Sequence, residues 1–88
     1  MSDEEKTTYS IEDETGQKSS ITIDKWAADI LQVDLDDVHN WIQKAFDHVS
    51  SKRPDLSRRK RGDFVRSLAY LKANENEEHK RRMRELFE

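Results

Sequence analysis

Polar and apolar residues alternate twice near the start of the chain, at Thr8-Tyr9-Ser10-Ile11 and again at Ser20-Ile21-Thr22-Ile23. A period of two sends successive side chains to opposite faces, so both stretches predict half-buried strands. The second is the better formed, with Ile21 and Ile23 on one face and Ser20 and Thr22 on the other. The first rests on Tyr9 and Ile11, which leaves 8–11 open between strand and tail. Glu14-Thr15-Gly16-Gln17 reads as the turn between them.

Beyond Asp24 the period lengthens. Leu31, Leu35, Val38, Ile42, Ala45 and Val49 recur at steps of four and three, and Trp26, Ile30, Trp41 and Phe46 widen the stripe. Asp24 suits an N-cap, and neither Gly nor Pro interrupts 24–51, so one continuous helix is the favoured expectation. The alternative is a break over 32–36. There Val33 and the aspartates 34, 36 and 37 lower helix propensity, and Asp34 offers a new cap. Trp26, Trp41 and Phe46 lie on the apolar side and are expected in the core or a dimer contact.

Pro54 places a loop over 51–56. Ser57 then caps another helix whose Phe64, Val65, Leu68, Ala69 and Leu71 are expected to face the first. Asn74 can cap a last segment, acidic early and basic late, as a helix dipole favours. Its apolar residues, Met83, Leu86 and Phe87, make a small patch suited to a protein partner, and the helix is expected to be loosely attached. The fold class expected is mainly α with a short N-terminal β element: a strand, a helical hairpin and a C-terminal helix. Residues 1–7 are expected as a disordered acidic tail, 8–73 as the domain and 74–88 as the final helix.

Composition sharpens this. In 88 residues, 33% are apolar and 40% charged, so the core is thin, and a homodimer is the simplest remedy. No cysteine is present, which excludes disulfides, thiolate zinc sites and thiol catalysis, and fits a reducing, cytoplasmic setting. The acidic start has no apolar run behind it, so neither a secretory signal nor a membrane association is expected. The net charge of −3 hides a split. Residues 1–50 carry twelve acidic and four basic side chains, and residues 51–88 carry seven and twelve.

Catalytic chemistry finds little support. His39 and His48 are nine positions apart, His79 is distant, and two glycines cannot build a phosphate loop. Asp34, Asp36 and Asp37 lack the glycine and terminal glutamate of a calcium loop. No enzyme activity, cofactor or metal is therefore expected. The prominent feature is Arg58-Arg59-Lys60-Arg61, followed by Arg66 and preceded by Lys52 and Arg53. Cations at a helix start oppose its dipole, and a phosphate would relieve that cost. Pairing with Asp55, Asp63 and the aspartates of the preceding helix is the competing explanation.

The order of strand, Asp-capped helix, turn and Ser57-led helix ending in Phe64-Val65-Arg66-Ser67-Leu68 resembles the ribbon-helix-helix superfamily of dimeric DNA-binding repressors and antitoxins. The likeness spans 18–71. It implies strands paired across a homodimer and laid in the major groove of double-stranded DNA, with Lys18, Ser20 and Thr22 as readers. Ser57 and Arg58 would anchor phosphate, with affinity added by Arg59, Lys60, Arg61 and Arg66. The function so implied is a transcriptional regulator, antitoxin or DNA-processing accessory factor. A protein-interaction module or inhibitor without nucleic-acid contact is the alternative.

Overall fold

The computed structural model describes residues 5–87. Both alternating stretches form strands, β1 (Lys6–Glu12) and β2 (Lys18–Asp24), and four helices follow: α1 (Lys25–Asp34), α2 (Val38–Lys52), α3 (Arg58–Asn74) and α4 (Glu77–Phe87). The fold is mainly helical with a short β element at its start. Residues 1–4 of the expected tail lie outside the described residues, and Lys6 and Thr7 already belong to β1, so the strand begins earlier than the pattern suggested.

The strands pair antiparallel within one chain, with Thr8 opposite Thr22, Tyr9 opposite Ile21 and Ser10 opposite Ser20. The ribbon-helix-helix likeness would draw a second strand from a partner copy, whereas here β2 finds its neighbour in its own chain. A tight loop makes this possible. The Asp13 carboxylate accepts from the Thr15 hydroxyl at 2.6 Å and from the backbone N–H groups of Thr15 and Gln17. Gly16 takes a φ of 83°, a left-handed conformation that glycine adopts without steric cost.

Alternation then sorts the hairpin into two faces. Ile11, Ile21 and Ile23 point inward and are buried, while Thr8, Ser10, Ser20 and Thr22 make a hydroxyl-bearing outer face. The outer edge of β1 is closed by α2. Gln43 exchanges two hydrogen bonds with the Glu12 backbone, at 2.9 and 3.0 Å, and His39 Nε2 bonds the Ser10 carbonyl. On the β2 edge, the Asp24 N–H donates to the Tyr70 hydroxyl at 3.0 Å.

Beneath the hairpin, α1 contributes Ala27, Ala28 and Leu31, α2 contributes Val38, Ile42, Phe46 and Val49, and α3 contributes Val65, Ala69 and Ala73. Phe46 is buried as expected and Trp41 packs partly against this core. Trp26 lies outside this core, 42% exposed and packed against the rings of Tyr70 and His79.

The favoured continuous helix over 24–51 is not what forms. The chain leaves helical geometry at Leu35 (φ −121°, ψ 143°), and α2 restarts with Asp37, whose carboxylate accepts from the Asn40 N–H at 3.0 Å. The cap is thus Asp37 and not Asp34. A straight helix of that length would run about 42 Å, too far for both halves to reach one small hairpin; the bend brings both apolar faces to it.

Ser57 caps α3, its hydroxyl accepting from the Lys60 N–H at 3.2 Å. The buried line of α3 runs at steps of four through Arg61, Val65, Ala69 and Ala73, so Phe64, Leu68 and Leu71 fall on its flank and are exposed, against expectation. α4 begins after Asn76, whose side chain accepts from the His79 N–H, and not after Asn74, which remains in α3. Replacing Asp37 with Ala should destabilise the fold by about 1 kcal/mol, measurable as a fall in Tm of about 4–8 °C. An unchanged Tm would mean that packing alone sets the start of α2.

Candidate functional site

The cationic run is divided by helical geometry before any ligand is considered. Arg61 turns inward and is only 7% exposed. Its Nε donates to the Leu56 carbonyl at 2.9 Å, one terminal nitrogen to the Pro54 carbonyl at 3.0 Å, and the other to Ser50 Oγ at 3.1 Å and Glu14 Oε1 at 3.0 Å. This guanidinium is therefore structural and unavailable to DNA, which removes Arg61 from the expected DNA-contacting set. It ties the hairpin loop, the end of α2 and the loop 53–57 to the first turn of α3.

That tie opens a cleft of about 600 Å³ between the hairpin and α3. Its walls are Ile11, Ser19 and Ser20 on one side and Ser57, Arg58, Arg59, Gly62, Asp63 and Arg66 on the other. Five of the sequence-predicted residues, Ser20, Ser57, Arg58, Arg59 and Arg66, thus meet in one place. Arg59, Gly62 and Arg66 are three and four apart, so they share a flank of α3. Lys60, one step of about 100° further round, is turned away from the cleft and is not among its walls.

Lys18 and Thr22 lie on the outer face of the ribbon beyond the cleft. Lys18 is exposed opposite Glu12, and the Thr22 hydroxyl is 2.8 Å from that of Thr8. Thr8 and Ser10 complete this face, and sequence reasoning missed them because only the hairpin register brings them beside Thr22 and Ser20. Lys6 and Asp24 close the far end through an ion pair of 2.6 Å.

The charges in the cleft are partly answered from within. Arg58 Nε lies 3.4 Å from Asp13, and Arg66 pairs with Asp63. Outside the cleft, Arg53 pairs with Asp55 at 3.0 Å. Arg59 has no ion pair among the described residues. The backbone N–H groups of Arg58 and Arg59, in the first turn of α3, likewise have no hydrogen-bond acceptor there. A guanidinium and unbonded amide donors at a helix start, beside a serine hydroxyl, are the kinds of group that oxyanions bind, although Asp63 also lines the cleft. Among the described residues no three His, Asp or Glu side chains are grouped to hold a metal ion, and no helix is long and apolar enough to cross a membrane.

At the far end of the molecule, α4 is held by His79, which stacks on Trp26 with centroids 5.2 Å apart, and by Asn76, whose amide donates to both Asp34 oxygens at 2.9 and 3.0 Å. Met83 borders a second cleft with Trp26, Asp29 and Ile30. Leu86 and Phe87 are 74% and 81% exposed.

Arg61→Ala should lower stability by about 2–4 kcal/mol, seen as a Tm about 8–30 °C lower, and Arg61→Lys should recover little because an ammonium cannot fork to four acceptors. Acid should act through the loop. The Thr15 hydroxyl, the Gln17 and Thr15 N–H groups and the Arg58 charge hold the Asp13 carboxyl below its usual range, and Glu14 is lowered by its own backbone N–H and by Arg61. Their stabilisation is complete above the ordinary carboxylate values, near pH 4, and is lost as the pH falls through the lower folded-state values. Asp13→Asn should flatten the acid limb of a stability-against-pH curve; an unaltered limb would place the acid sensitivity elsewhere.

No protein-family model, curated protein or solved structure matches this chain.

Proposed function

We propose that this protein binds double-stranded DNA stoichiometrically, turning the hydroxyl face of its ribbon toward a groove and seating a neighbouring phosphate in the cleft beside α3. The observation that carries the reading is the placement of unpaired Arg59 across one cleft from Ser20 of the ribbon. A major groove admits a two-stranded ribbon, and short polar side chains reach base edges from it. Ser20, Thr22 and Lys18, joined by Thr8 and Ser10, are the readers in this scheme. Arg59, Arg58, Arg66 and Ser57 are the anchors, and phosphate competes with Asp13 and Asp63 for two of those arginines. Such a module serves a transcriptional regulator, an antitoxin or a DNA-processing factor in the cytoplasm.

A second reading, a protein-binding module without nucleic-acid contact, is favoured by the exposure of Leu86 and Phe87 in the last turn of α4. Duplex titration at several salt concentrations separates the two. Phosphate contacts make log K fall linearly with log salt, and Arg59→Ala should weaken binding and reduce that slope by about one. Ser20→Ala and Thr22→Ala should change the preference among sequences more than the slope. Absence of binding at low salt, or an Arg59→Ala protein with wild-type affinity and slope, would leave the protein-binding module.

A further inference from the structure

α3 carries a second exposed face that the cleft does not use. Phe64, Leu68 and Leu71 are 48%, 38% and 61% exposed and follow one another at helical steps of four and three. The same line continues to Lys60 in the first turn and to Glu75 at the C-cap. Neither Lys60 nor Glu75 has an ion pair among the described residues. Each also has the wrong sign for its end of the helix, a cation near the N-terminus and an anion at the C-terminus.

These positions are symmetric about a point between Ser67 and Leu68. Lys60 and Glu75 are equally far from it in sequence, as are Phe64 and Leu71, and Leu68 lies beside it. A stripe that reads cation, apolar, apolar, apolar, anion is complementary to itself when reversed, as a two-fold contact requires. We propose that a second copy of this chain covers the face, α3 against α3 in an antiparallel pair. Lys60 then meets the partner's Glu75 at both ends, Phe64 packs on the partner's Leu71, and the two Leu68 side chains meet near the axis. Both dipole-opposed charges are neutralised by this single contact, and a solvated helix face has no need of three large apolar side chains in register with them. The contact lies about 160° around α3 from the Arg59 flank, so pairing leaves the phosphate cleft open and does not depend on it.

Sedimentation equilibrium on the full chain tests the arrangement. The wild-type protein should be a dimer at micromolar concentrations. Lys60→Glu puts like charges at both ends, as does Glu75→Lys, and each variant alone should associate at least about tenfold more weakly. An equimolar mixture of the two should recover wild-type affinity as a one-to-one heterodimer, because each then supplies the charge that the other lacks. Both substitutions favour the helix dipole of their own chain, so loss of association cannot be ascribed to loss of α3. Leu68→Lys, which brings two cations together at the axis, should give a monomer with unchanged circular dichroism. A wild-type chain that stays monomeric up to about 1 mM, variants that self-associate like wild type, or a mixture that fails to pair would each overturn the proposal.

Discussion

One buried guanidinium fixes the relation among the parts. A core built from three isoleucines of a hairpin and the short apolar runs of three helices is small, and four alanines within it add little volume. The loop 53–57 and the hairpin turn therefore need a polar fastening, and Arg61 supplies it through bonds to Leu56, Pro54, Ser50 and Glu14. A planar fork with five N–H donors suits this task because several acceptors from different segments can be met at once. The position of β2 against the first turn of α3 follows from that fastening, and so does the cleft between them.

How far the sequence discloses this depends on what each residue pattern can distinguish. The hairpin turn, the Pro54 loop and the Ser57 cap are legible because each rests on local backbone chemistry. The break after Asp34 is only half legible: the aspartates 34, 36 and 37 and Val33 mark where it can occur, but the stripe of apolar residues keeps the same spacing whether the helix continues or bends, so the pattern does not choose between them. The inward turn of Arg61 has a signal that a count of charges conceals: Val65, Ala69 and Ala73, extended back by one step of four, land on Arg61. The same line moves Phe64, Leu68 and Leu71 out of the core, although their composition suggests the reverse. At the site, Ser20, Ser57, Arg58, Arg59 and Arg66 are legible as a group, but Thr8 and Ser10 enter only once the strand register is known.

A run of four basic residues is thus not one feature. Arg58 is steadied by Asp13, Arg59 faces the cleft, Lys60 looks away from it, and Arg61 is interior. Successive residues on a helix point in directions about 100° apart, so neighbouring cations serve separate purposes even where their charges add on paper. α3 is accordingly a three-sided element, with a packed side, a polar side toward the ribbon and an apolar side toward solvent.

The two margins of the hairpin are unlike. Along β1 the outward backbone groups at Ser10 and Glu12 are occupied by His39 and Gln43, which stand where a further strand would otherwise lie. Along β2 the Tyr70 hydroxyl takes the Asp24 N–H, and the first turns of α3 face Ser20 across the cleft without a direct backbone bond among the described residues. Both margins of this sheet are thus flanked by helix, α2 through direct hydrogen bonds to the β1 backbone and α3 across the cleft beside Ser20, so enlarging the sheet on either side would first require a helix to move.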